Sequence, residues 1–171
     1  MNISETLVHA DKETLHEIIR EAESYLSSQL TAGIAADQRA IAFAGLLSAA
    51  AVVLVSGALT VLLGTTAHSA LGWIGLACAI GLLVAVFLAN MTAMPADFWY
   101  PGNSPAQWVN DIREKKVFLT CLAEQAQHYA EQIDDNKKLL DRNGKGMQRA
   151  VWLAWGVLML GAALSAISVL F

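Results

Sequence analysis

Three stretches of this chain, residues 40–63, 70–94 and 150–171, contain no Asp, Glu, Lys, Arg or His. Each reaches the ~20 residues that an α-helix needs to cross a ~30 Å hydrocarbon core. Lipid offers no partner to backbone N–H and C=O groups, so such a run must satisfy them within itself. Charged residues are 15% of the chain, against about 25% in a soluble domain, and the deficit lies in these three runs. The expectation is an all-α membrane protein with three transmembrane helices. The alternative, helices buried in a soluble core, is disfavoured at these lengths. The first 38 residues are mostly polar, so the first apolar run does not read as a cleavable signal peptide.

The basic residues fix an expected orientation. Lys12, Arg20 and Arg39 precede the first run, and Arg113, Lys115, Lys116, Lys137, Lys138, Arg142, Lys145 and Arg149 lie between the second and third. The link 64–69, GTTAHS, carries none. The positive-inside rule then places the N-terminus and the middle segment in the cytoplasm, and the short link with the C-terminal end at Phe171 outside. The chain divides into a cytosolic amphipathic helix (1–39), a first span (40–63), an outer loop (64–69), a second span (70–94), a cytosolic aromatic turn with a heptad helix (95–149) and a third span (150–171).

Within 11–36, Leu15, Ile18, Ile19, Ala22, Leu26 and Leu30 recur at helical spacing, with glutamates mainly opposite. No proline separates this stripe from the first span, and Asp37-Gln38-Arg39-Ala40 marks the water boundary, where Arg39 can snorkel. The seam MPADFWYPGNSPAQW (94–108) follows the second span. Phe98, Trp99 and Tyr100 read as an interfacial anchor, with Trp152 and Trp155 as a matching belt on the third span; a pocket wall is the alternative. Ser104 and Pro105 read as the start of a helix running to about Arg142. In it Ile112, Leu119, Ala126, Ile133 and Leu140 lie seven apart, and Trp108, Lys115, Leu122, Tyr129 and Asn136 form a second seam. That is the pattern of a helix packed along its length on another helix, within or between subunits. Asn143-Gly144-Lys145-Gly146 reads as a helix break. Small residues every four positions, Ala77, Gly81, Ala85 and Ala89, then Gly161 and Ser165, read as close helix packing.

Catalytic signals are sparse. His16-Glu17-Ile18-Ile19-Arg20 has Arg where a zinc-protease helix needs its second His. His9, His16, His68 and His128 are scattered, and Asn143-Gly144-Lys145-Gly146 lacks the phosphate-loop frame. Cys78 and Cys121 read as unpaired thiols. The expectation is a non-enzyme without metal or cofactor, whose partners are the lipid bilayer and other helices, not a nucleic acid polymer.

The layout resembles the small bacterial transmembrane effectors of nucleotide-signalling antiphage systems, the Pycsar transmembrane effectors and the related two-span SLATT group. The shared features are a cytosolic helix leading into a D-x-[KR]-A boundary (here Asp37-Gln38-Arg39-Ala40), a close pair of spans and a cytosolic helical segment. The resemblance implies a homo-oligomeric effector of the bacterial inner membrane. A cyclic nucleotide would trigger its cytosolic part, and the spans would then disrupt the membrane. Lys115, Lys116, Lys137 and Lys138 are the candidate ligand-binding residues; a solvated, positive-inside face is the alternative reading of them. The competing function is an accessory or scaffold subunit that docks through the heptad helix.

Overall fold

The computed structural model describes residues 3–64 and 69–170. Residues 65–68 of the expected outer loop, His68 among them, and the C-terminal Phe171 lie outside the described residues. The elements are α1 (Ser4–Leu7), α2 (Lys12–Leu63), α3 (Ser69–Thr92), a 3-10 turn (Pro105–Gln107), α4 (Trp108–Arg113) and α5 (Phe118–Leu170). Among the described residues there is no strand. The chain is all-α, and α2, α3 and α5 are each long and apolar enough to cross a membrane. The most apolar 18-residue windows of these helices are only 17%, 22% and 11% buried within the chain. A soluble fold would hide such surface; this one leaves it for an apolar surrounding.

Residues 35–95 and 142–171 form one compact unit. Its core is made of Leu47, Ala51, Ala79, Leu82, Ala85 and Ala154, with a second group of Ala44, Ala89 and Ala150. Close approach explains the small residues. A Cβ on Gly81 would meet the Val157 side chain, and one on Gly161 would meet Cys78 Sγ. The buried face of α3 runs through Gly72, Ala79, Leu82, Ala85, Ala89 and Thr92. Steps of three and four hold one face, whereas steps of four alone drift about 40° each. Ala77 accordingly falls off the packing face and is exposed.

Residues 1–34 and 96–141 form the other unit. Asp11 caps α2: its carboxylate accepts from the Thr14 backbone N–H at 2.7 Å and from the Thr14 hydroxyl at 2.9 Å. Those bonds to the charged form hold the Asp11 carboxyl below its ordinary range. Leu15 is fully buried against Leu122 and Ala123, with Leu7, Val8, Ile19, Trp108 and Leu119 around them.

Two helix boundaries differ from expectation. The helix does not break at Asn143–Gly146; α5 runs straight through. Gly146 is needed for packing, since a Cβ there would meet Thr92 Cγ2. The break falls instead at 114–117, between α4 and α5. There Lys115 adopts φ 55°. The Lys116 N–H donates to Asp111 O at 2.9 Å and the Lys115 N–H to Ile112 O at 3.2 Å, which closes a Schellman motif. The usual apolar contact of that motif is replaced by an ion pair between Lys116 and Asp111 at 3.5 Å. Ile112 and Leu119 therefore sit on different helices, and Ile112 is 72% exposed.

The left-handed backbone at Lys115 costs about 1–2 kcal/mol for a side chain with a Cβ. Glycine gives back about 0.4–1 kcal/mol through its freer unfolded chain. Lys115→Gly is thus expected to stabilise the unit by about 0.5–1 kcal/mol, seen as a higher denaturation midpoint by circular dichroism. A lower midpoint would show that the Lys115 side chain is worth more than its backbone strain.

Candidate functional site

The aromatic turn is clasped onto α5. Asn136, only 1% exposed, accepts from the Trp99 backbone N–H and donates to the Trp99 carbonyl, both at 2.9 Å. One side chain thus replaces the two bonds that a neighbouring strand would make. Gly102, at φ 100°, gives its N–H to the Tyr129 hydroxyl at 3.2 Å. Tyr129 in turn donates to Glu23 at 2.8 Å. Burial, and then the Glu23 carboxylate, push the Tyr129 phenol pKa up, so it stays a donor. Asn103 adds a bond to Gln125 at 2.7 Å.

The three turn aromatics have separate fates. Phe98 lies on the bare face of Gly33, where a Cβ would come within 2.9 Å of the ring. Trp99 sets its ring edge-on to His128, with centroids 6.3 Å apart. Tyr100 is exposed. This segment is a strap tied into its unit by Asn136 and Tyr129, with Tyr100 and part of Trp99 left exposed. In the apolar unit, Trp152 and Trp155 are both exposed on α5.

Beside the strap is a polar cavity of about 190 Å³, walled in part by Asn103, Trp108, Asp111, Glu124, Gln125 and His128. Its two carboxylates share one counterion: Lys116 bridges Asp111 and Glu124. The hydrogen bond to Glu124 is the main cause of the raised Lys116 pKa. Two carboxylates to one ammonium suit a neutral polar or cationic group better than a phosphate. Cys121, buried at the same wall, has its thiol pKa raised, first by burial and then by Asp111. That is the reverse of an activated nucleophile.

The four candidate lysines do not form one site. Lys116 is engaged as above, and Lys138 pairs with Asp134 at 2.7 Å and Asp135 at 3.1 Å. Lys115 sits in the α4–α5 break, while from Phe118 to Lys138 the axis of α5 rises about 30 Å. A single nucleotide does not span the two lysine pairs. Asp37 and Arg39 both lie on α2 in the apolar unit, and the Arg39 Nε donates to the Ala35 carbonyl at 3.1 Å. His16, the first residue of the partial protease motif, packs edge-on against Phe118.

Sequence reasoning did not find the strap. Its signal was present: an Asn in a mostly apolar seam, at Asn136, faces a proline-bounded non-helical segment within the same chain. No protein-family model, curated protein or solved structure matches the chain.

Proposed function

We propose that the protein is a non-enzymatic effector of the bacterial inner membrane, which impairs membrane integrity in response to a cytosolic cyclic-nucleotide signal. The observation that carries this reading is the division of labour in the fold. One unit holds nearly all the acidic residues and a polar cavity; the other is a three-helix apolar unit whose spanning windows are largely unburied. With so little intrachain burial, the spans have surface to spare for reassembly in the bilayer as a homo-oligomer. In this reading the N-terminus and residues 96–141 face the cytoplasm and the C-terminus lies outside, as the basic residues direct.

Helices α2 and α5 contribute residues to both units, which gives a ligand on the first a covalent path to the second. A shift of the apolar unit from 1:99 to 99:1 takes about 5.5 kcal/mol of differential binding. The ion-paired lysines argue against a phosphate held by Lys116 or Lys138. The cavity beside Trp108, Asn103 and Gln125 offers a stacking face and amide groups suited to the uncharged base end of a nucleotide.

A second reading, a docking subunit of a larger membrane complex, is favoured by one feature. Val109, Ile112, Val117 and Phe118 cluster around the α4–α5 break, and each is at least 48% exposed.

Membrane potential decides between the two. Induced wild-type protein is expected to depolarise cells when a pyrimidine cyclic mononucleotide is supplied, and Trp108→Ala is expected to blunt the response while inserting normally. Unchanged potential under every cyclic nucleotide and under phage challenge, with a stable partner complex recovered in detergent, would replace the effector by the scaffold.

A further inference from the structure

In the apolar unit α2, α3 and α5 meet at a cleft of about 340 Å³, lined by Ala36, Arg39, Thr92, Asn143, Gly144 and Met147. We propose that this cleft holds the phosphate of an anionic phospholipid headgroup. The inference stands apart from the effector reading, since an effector and a scaffold would use such a site equally.

The chemistry of the lining points to this ligand. Arg39 is the charged group among these residues. The bond from its Nε to the Ala35 carbonyl sets the guanidinium and leaves the terminal nitrogens for a ligand. Among the described residues no carboxylate pairs with it. Asp37, two positions away on α2, points from another face of the helix. Asn143 adds an amide to the lining. The Thr92 hydroxyl is already spent on the Ala89 carbonyl at 2.7 Å, so Thr92, Ala36 and Met147 present mainly apolar surface. An arginine fork beside an amide, against an apolar wall, matches a phosphodiester whose other end is hydrocarbon.

Charge and depth agree with this. The charged residues of the unit are Asp37, Arg39, Arg142, Lys145 and Arg149, four basic against one acidic, a net +3. All five precede an uncharged run, Arg39 and Arg149 directly and the others within about two helical turns. Arg39 directly precedes the first run, Thr92 ends α3, and Arg149 directly precedes the last run. Basic pockets between spanning helices at this depth recognise anionic headgroups. Gly144 leaves the cleft open: a Cβ there meets nothing within 4 Å.

Native mass spectrometry of the full chain in mild detergent tests the site. Phosphatidylglycerol and phosphatidylcholine with identical acyl chains are the probes. The wild type is expected to retain a single phosphatidylglycerol in preference to phosphatidylcholine, and Arg39→Gln to lower that retention about fivefold. Gly144→Leu fills the cleft without changing charge, at a position that tolerates a side chain, and is expected to lower retention to a similar degree. Equal retention of the two lipids by the wild type would overturn the proposal. So would a loss with Arg39→Gln but not with Gly144→Leu, which would make Arg39 an ordinary surface cation. Displacement of the lipid by a soluble cyclic mononucleotide, with the same dependence on Arg39 and Gly144, would reassign the cleft to a free phosphodiester and overturn the lipid assignment.

Discussion

Asn136→Ala is expected to release the strap from α5. The substitution removes an acceptor and a donor together and leaves the Trp99 N–H and carbonyl without their side-chain partner. Each buried polar group left without a partner costs about 1–3 kcal/mol. The two together give about 2–6 kcal/mol, or a roughly 30- to 25,000-fold faster exchange of the Trp99 amide where the strap opens locally. Asn136→Asp provides an internal comparison: it still accepts from the N–H but turns a carboxylate oxygen toward the Trp99 carbonyl, so it is expected to open the strap as well. Unchanged protection of the Trp99 amide in the Ala variant would show that Phe98 and Tyr129 hold the strap without Asn136.

Leu15→Ala is expected to cost about 2–5 kcal/mol. Leu15 has no exposed surface and touches the core from α2, where Leu122 and Ala123 of α5 and Trp108 of α4 meet. Truncating its isobutyl group to methyl leaves a cavity that long helices, fixed by their own backbone bonds, collapse into only partly. The measurement is hydrogen exchange at residues 15–26 and 119–129, with Glu13→Ala, an exposed change on the same helix, as the reference. Equal protection in the two variants would mean that this cluster contributes little to the stability of its unit.

The spans were the most legible part of the sequence, because hydrocarbon leaves few alternatives to an uncharged helical run. Expected limits of 40–63 and 70–94 compare with helix ends at Leu63 and Thr92. The helix stops were the least legible. Gly144 and Gly146 looked like a break, yet glycine in a helix costs only about 1 kcal/mol, and the contact of Gly146 with Thr92 needs a residue without a Cβ. The true stop, at Arg113-Glu114-Lys115-Lys116, has neither Gly nor Pro; side-chain pairing and a left-handed lysine make it, and neither is visible as a local pattern. The heptad was partly legible. From Leu119 onward its members face inward, with Leu122, Ala126, Tyr129 and Asn136 buried, while Ile112 and Lys115 match it only by count. Among the candidate lysines, sequence spacing hid the acidic neighbours that pair with two of them, Lys116 and Lys138.

The clasp at Asn136 bears on how copies of the chain meet. A coiled-coil partner needs a vacant row of a and d positions, and at Tyr129 and Asn136 that row is occupied from within by the chain's own strap. A second copy approaching this face would first have to evict the strap, or lend its own in return. Self-association through α5 at these positions is therefore a strand exchange with an opening barrier, slow to begin and slow to reverse, rather than a zipper that closes on contact.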